Sequence, residues 1–306
     1  MALLLTGLGA AASCSPQSQV PPTLRAATPS STLATPNANP TATPPQALLS
    51  GCPPTKPEGA LQLITRLPGD PDDVSVSPDG SVWVSDSDEN ALLHISSTGR
   101  LLSRIDDRNA PEGSVVLPDG RVVIADQSDN RIVVVTPGGS ALTRVLDVLP
   151  AATNRLGVDG IGYDAADGRL LVPDSPVGEL LSISPEDGTE TLLAGGMGRI
   201  VDATVGPDGA IYAVAETSKG LQQVPARGGA AVQVGDLTDL DDVVALDGML
   251  YVTDLGGSVW AVDPVTGADR ELVSHAAAPQ GLATVAGRLV LVDETTRTVS
   301  WVTPCA

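Results

Sequence analysis

A six-bladed β-propeller, all-β with four antiparallel strands per blade, is the fold class this sequence predicts. Three observations predict it. A unit of roughly forty residues recurs six times, each copy carries short alternating strands split by Asp-Gly or Gly-Gly turns, and the last copy is one strand short while a spare strand precedes the first.

The clearest copy is PEGSVVLPDGRVVIADQSDNRIVVVTPGG, Pro111 to Gly139, and the others open near Pro71, Val158, Val201, Asp241 and Pro279. Their turn glycines, Gly80, Gly120, Gly168, Gly209, Gly248 and Gly287, stand 40, 48, 41, 39 and 39 residues apart. Asp-Gly between apolar runs is a hairpin signal, because the turn needs a residue that tolerates positive φ. The sixth copy holds strands near Leu282, Leu289 to Val292 and Val299 to Val302. The missing outer strand is supplied by LQLITRL, Leu61 to Leu67, so the ring is expected to close on an N-terminal strand, with the propeller spanning residues 59–306.

The 306-residue chain (31.0 kDa) carries 17 basic against 37 acidic residues, a formal net charge of −20 and a pI near 4.2. Such a field repels phosphate backbones, which excludes nucleic acid as a partner. Apolar residues make up 42%, yet Phe is absent, so the core is expected to be Val, Leu, Ile and Ala. No internal apolar stretch reaches the length of a membrane span.

Residues 1–14 read as a signal peptide, an apolar run to Ala12 followed by Ser13 and a lipobox-like Cys14 as lipid acceptor. Residues 15–58 form a Pro/Thr/Ser-rich tether too polar to bury a core, extended by its prolines. The expected location is extracytoplasmic, on a bacterial membrane through the lipid anchor alone, with plain secretion as the alternative, and the expected state is a monomer. With Cys14 lipidated, Cys52 and Cys305 remain as a disulfide that ties the two ends of the propeller together.

Acids recur at three places in the repeat, though not in every copy. Those ending the second strands, Asp86, Asp126, Asp174, Glu216, Asp254 and Asp293, are expected to accept backbone N–H bonds in the following turn. The turn acids Asp79, Asp119, Asp208 and Asp247 belong to the hairpins. The openings of the first strands differ, because the innermost strand lines the central channel. They read Asp72-Asp73, Glu112-Gly113, Asp159-Gly160, Val201-Asp202, Asp241-Asp242 and Gln280-Gly281. Carboxylates converging on a narrow mouth repel unless neutralised, and Ca²⁺, which takes six to eight oxygens, does this. Asp72, Glu112, Asp159, Asp202 and Asp242 are the expected ligands.

The pattern P-x-G, strand, D-G, strand, A-D-x-x-N-R in Pro111 to Val135 resembles the NHL-repeat propellers and their relatives, the senescence-marker/gluconolactonase lactonases, paraoxonases and strictosidine-synthase-like proteins. The resemblance spans about Leu61 to Cys305. It implies metal ligands from Glu-Gly, Asn-Gly and Asp-Gly steps at the openings. Glu112 matches the first and Asp159 the last, Asp202 is a looser match, and no opening carries Asn-Gly. It also implies a lactonase chemistry, with Asp159 or Asp202 as general base toward water. The two histidines are too few for a paired-His site: His94 falls in a third strand and His275 in the loop entering the last blade. Two functions are therefore expected: a ligand- or protein-binding propeller engaging an unidentified small molecule or protein at its top face, and, as the alternative, a Ca²⁺-dependent lactonase or ester hydrolase.

Overall fold

The computed structural model describes residues 61–106, 110–136, 141–146 and 156–302. Cys14, Cys52, Cys305, the leader and the tether lie outside the described residues.

The first strand, β1 (Leu61–Arg66), does not pair with the strands that follow it. The first sheet comprises β2 (Pro71–Val76), β3 (Val82–Asp86), β4 (Ala91–Ile95) and β5 (Leu101–Asp106). The second comprises β6 (Pro111–Val116), β7 (Val122–Asp126), β8 (Arg131–Val135) and β9 (Ala141–Val145), with a single 3₁₀ turn at Gln127–Asp129. The third is β10 (Gly162–Asp164), β11 (Arg169–Asp174), β12 (Glu179–Ile183) and β13 (Glu190–Gly195). The fourth is β14 (Ile200–Val205), β15 (Ile211–Ala215), β16 (Gln222–Val224) and the two-residue β17 (Val232–Gln233). The fifth is β18 (Leu240–Leu246), β19 (Met249–Asp254), β20 (Ser258–Val262) and β21 (Asp269–Val273). The sixth takes β22 (Pro279–Val285), β23 (Arg288–Asp293), β24 (Thr298–Val302) and, at its outer edge, β1, antiparallel with Leu61 opposite Val302. Every pairing is antiparallel, and the six innermost strands pack side by side around an axis, β22 meeting β2. The chain is a six-bladed β-propeller.

Burial follows position within the blade. The second strands β3, β7 and β15 are buried at every residue, because a neighbouring blade covers each face. The outer strands β5 and β9 are almost wholly exposed, so their residues show no such run.

The apolar residues gather into six clusters, one at each junction between blades among the described residues. Val84, Val123, Val214 and Val252 have no exposure at all, and each such side chain contributes about 1.5–3 kcal/mol on burial. Val and Leu suffice because the space between twisted sheets is thin. Trp83, Tyr212 and Tyr251 sit in second strands against the next blade. The junction of blades six and one joins Val74 and Val84 to Val290 and Val299, with Ile64 of β1 packed against it.

Candidate metal centre at the channel mouth

Five of the six inner strands open with a register shift. It falls between Pro71 and Val74, Pro111 and Ser114, Ile200 and Asp202, Leu240 and Val243, and Pro279 and Leu282. A bulge re-aims the residues it releases from the ladder. In blades one, two and five those residues include opening acids, which together with Asp159, ahead of the unshifted β10, and Asp202 divide into two tiers.

The upper tier brings Asp72, Glu112 and Asp159 together, with one carboxylate oxygen from each within 4.8 Å of the others. Each comes from a different blade, the first, second and third. Glu112 is 9% exposed, and burial pushes its carboxyl well above the usual range, with the Asp72 and Asp159 charges adding to it. The hydrogen bond between Glu112 and Asp72 raises Glu112 and lowers Asp72. Asp72 is itself raised to about 6, chiefly by burial. Asp159 and Asp241 are pushed well above the usual range for the same reason, and the Asp72 charge raises both further. Around this group stand Glu216 and Glu294, whose charges reach Asp72. In the equivalent opening of blade six, Gln280 gives its Nε2 hydrogen to Glu294 at 3.2 Å, while its buried Oε1 has no hydrogen-bond partner.

The lower tier is Asp73, Asp202 and Asp242, one residue further along their strands. A carboxylate there faces the next blade and accepts the N–H of its inner strand. Ser114 donates to Asp73 at 3.0 Å, Val243 to Asp202 at 3.1 Å, and Leu282 to Asp242. Blades two, three and six place Gly113, Gly160 and Gly281 at this position, where a Cβ would lie 2.6 Å from Asp159 O, 2.6 Å from Asp202 Oδ1 and 2.7 Å from Asp73 Cα respectively. With no side chain in the way, the backbones bond directly: Gly113 N–H donates to Asp159 O at 2.8 Å and Gly160 N–H to Val201 O at 2.6 Å. Burial raises Asp73 to about 7, and raises Asp202 and, further, Asp242. Between the tiers lies a cavity of about 10 Å³, room for one water- or ion-sized particle, lined by Asp72, Asp73, Asp159, Asp202, Asp241 and Asp242.

Of the five expected ligands, Asp72, Glu112 and Asp159 come together in the upper tier, while Asp202 and Asp242 stand with Asp73 in the lower tier and line the cavity from there. Of the expected bases, Asp159 uses Oδ2 to accept from Arg199 at 2.8 and 3.1 Å and from Gln127 at 3.3 Å, and Asp202 is bound to the N–H of Val243.

Arg199, in the connection from β13 to β14, also pairs with Glu216 at 3.0 Å. Glu216 is thus paired with an arginine, as the second-strand acid Asp126 is with Arg131. Asp86 accepts from Gly69, Asp70 and Glu89, Asp254 from Ser258 and Trp260, and Asp293 from Ala277, Ala278 and Thr296. Those acids hold loops. The turn acids Asp79, Asp119 and Asp208 accept N–H bonds within their own hairpins. His94 lies in β4, stacked on Trp83 at 4.3 Å and bonded to Ser81, and His275 is exposed in the loop before β22. Neither touches the mouth group.

Beside the mouth, between blades three and four, is a groove of about 550 Å³. The turn after β11, the turn after β15 and the β13–β14 connection line it, and Arg199 spans from it to Asp159.

No protein-family model and no characterised protein sequence matches the chain. Many solved structures match its fold. A catalytically inactive virginiamycin B lyase from Staphylococcus aureus with quinupristin is 16% identical over 80% of this chain and 99% of its own, with a TM-score of 0.62. The PQQ-bound aldose sugar dehydrogenase of Streptomyces coelicolor is 14% identical over 81% and 99%, with a TM-score of 0.64. A gluconolactonase from Xanthomonas campestris is 13% identical over 79% and 89%, with a TM-score of 0.63. At these identities the likeness is one of fold, and a fold shared by a lyase, a dehydrogenase and a lactonase does not carry one chemistry.

Proposed function

We propose that this chain is an extracytoplasmic, lipid-anchored binding propeller that holds one divalent cation at its channel mouth and a small ligand beside it. The observation that carries this reading is the convergence of Asp72, Glu112 and Asp159, from three blades, on one point.

The donor set fits a hard cation such as Ca²⁺: three carboxylates, all-oxygen, with no nitrogen or sulfur donor among them. The unpaired Gln280 Oε1 adds a buried acceptor in the corresponding opening of blade six. Asp72, Glu112 and Asp159 would hold the ion, with Asp241 adding to the field that attracts it. Without a cation, the hydrogen bond between Glu112 and Asp72 and the Arg199 guanidinium on Asp159 ease the repulsion within the group. A bound cation would draw on the Glu112 and Asp72 carboxylates, and Asp159 would be shared between it and Arg199. Cys14 as lipid acceptor and the tether of residues 15–58 carry the anchoring part of the proposal.

One specific observation favours the second reading, a lactone or ester hydrolase: the groove meets the mouth group through Arg199. Polarising a bound carbonyl is the chemistry a cation there would supply. The chain's own residues would orient that carbonyl from the groove and, through Arg199, hold the Asp159 carboxylate in place.

Elemental analysis and thermal unfolding test the proposal. The purified full chain is expected to retain about one divalent ion, and saturating Ca²⁺ at roughly a hundred times its Kd stabilises it by about 2.7 kcal/mol over EDTA. Absence of metal at millimolar Ca²⁺, with one melting temperature throughout, overturns it. Turnover of a lactone panel that stops in EDTA selects the hydrolase. Loss of palmitate labelling in Cys14→Ser tests the anchor.

A further inference from the structure

We propose that the groove between blades three and four seats a neutral, carbonyl-bearing molecule with apolar substituents, of the class of an N-acylated amino-acid amide. This rests on the ligand-binding reading above and names the chemistry of the ligand.

The groove, about 550 Å³, lies within the range of small-molecule sites, which pair a largely apolar wall with a few placed polar groups. Its apolar wall is Leu156, Pro176 and Val177, and its polar side chains are Ser175, Thr217 and Arg199. All three offer hydrogen-bond donors. Ser175 is 2% exposed and its Oγ has no partner, which leaves a buried hydroxyl in want of an acceptor. Thr217 Oγ1 accepts from Lys219 N–H at 3.3 Å and keeps its own hydrogen to give. Arg199 is a guanidinium with five N–H groups, of which Asp159 and Glu216 do not take all.

Charge decides among ligands with acceptors. Among the described residues no carboxylate lines the groove, so a cation entering it gives up its hydration without gaining an ion pair. An anion meets an Arg199 already neutralised by Asp159 at 2.8 Å and Glu216 at 3.0 Å, within a chain of net charge −20. A neutral molecule whose carbonyl oxygens face Ser175, Thr217 and Arg199 incurs neither penalty. The groove is open because its floor lacks side chains: a Cβ on Gly198 would come 2.8 Å from Thr217 Oγ1.

Three related probes test this on the full chain by calorimetry and ligand-observed NMR: neutral N-acetyl-leucinamide, its anionic isostere N-acetyl-leucine, and cationic leucinamide, which lacks the acetyl group. The neutral probe is expected to bind at roughly millimolar Kd, as its dozen or so heavy atoms imply. Each charged analogue is expected to bind at least about fivefold more weakly. Val177→Trp fills the groove without touching the mouth acids, and is expected to weaken the neutral probe at least about tenfold while leaving Ca²⁺ titration unchanged. If that variant does not fold, Thr217→Val, which removes a donor from the opposite wall, is expected to weaken it about threefold to tenfold. Charged probes binding as well as the neutral one, no binding of the neutral probe at tens of millimolar, or unchanged binding in a folded groove variant overturns the inference. A chain that binds the neutral probe but no Ca²⁺ overturns the cation reading and leaves this one standing.

Discussion

Replacing Gly113 with Ala joins the fold and the candidate site in one perturbation. The added methyl would stand 2.6 Å from the carbonyl oxygen of Asp159 and 2.9 Å from the carbonyl carbon of Gly160, both backbone atoms of the next blade. Ordinary carbon contacts lie near 3.5–4.0 Å, so blades two and three must part by roughly 1 Å there. Overpacking of this kind destabilises by about 1–3 kcal/mol. The Gly113 to Asp159 hydrogen bond stretches with it and forfeits about 0.5–1.5 kcal/mol more. A loss of about 2–4 kcal/mol is expected, read as a drop of about 1 M in the urea midpoint at an m-value near 3 kcal/mol per M. Because the displaced residue is Asp159, Ca²⁺ affinity is expected to fall at least about tenfold in the same protein. Gly195→Ala is the control, since its methyl meets Glu179 Cγ at an ordinary 3.6 Å, and it is expected to stay within about 0.5 kcal/mol of the parent. A Gly113→Ala protein as stable as that control, with undiminished Ca²⁺ affinity, refutes the close-contact argument.

Asp242→Ala leaves the Leu282 N–H buried without its acceptor, and about 1–3 kcal/mol of stability should be lost in chemical unfolding. Its Ca²⁺ affinity should change by less than about twofold, and a tenfold loss would return Asp242 to the ligand set. Glu112→Gln removes a ligating charge, so calorimetry should show Ca²⁺ binding weakened by at least about tenfold, while the cation-free protein should lose no stability because burial and the Asp72 and Asp159 charges already disfavour the ionised Glu112. The pH dependence follows from Asp72 and Asp73, raised from 3.8 to about 6 and about 7. The folded chain holds protons that the unfolded chain releases near pH 4, so cation-free stability is greatest below that value and falls as pH climbs to about 7. Melting in EDTA should therefore occur at lower temperature at pH 7.5 than at pH 5, with the slope flattened by Ca²⁺; a melting temperature that rises with pH contradicts it. Cys52→Ser and Cys305→Ser should lower the melting temperature equally under oxidising conditions, by no more than about 5 kcal/mol of stability, and a variant as stable as the parent removes the pairing.

The blades were legible in the sequence because each is a local object. Asp-Gly turns and alternating strands are specified within one repeat, and Gly80, Gly120 and Gly209 adopt the positive φ their turns need. Asp72, Glu112 and Asp159 were legible too, since they hold the same place in their repeats. The tier beneath was not, because it depends on side-chain direction. In Asp72-Asp73 and Asp241-Asp242 both residues are acids, and only the bulge decides which one faces the mouth and which the neighbouring blade. The first member of each opening pair is Asp241 in blade five and the apolar Val201 in blade four. Arg199 carried no signal at all. It lies in a connection outside the repeated pattern, and its bonds to Asp159 and Glu216 join residues 40 and 17 positions away. Glu216 stood among acids that hold loops, and nothing in its place in the repeat sets it apart.

The placement of β1 against β24 has a kinetic side. Whether the chain emerges from a ribosome or threads through a translocon, β1 appears first and its partner nearly last, so the opening strand must wait for almost the whole molecule. Meanwhile β2 to β21 can assemble blade upon blade in order, as an open arc whose leading face, Val74 and Val84, stays bare until Val290 and Val299 arrive. Contacts so distant along the chain form slowly. The concluding step of folding is therefore the one that hides the last sticky surface, and the interval before it is when this protein is most in need of a chaperone.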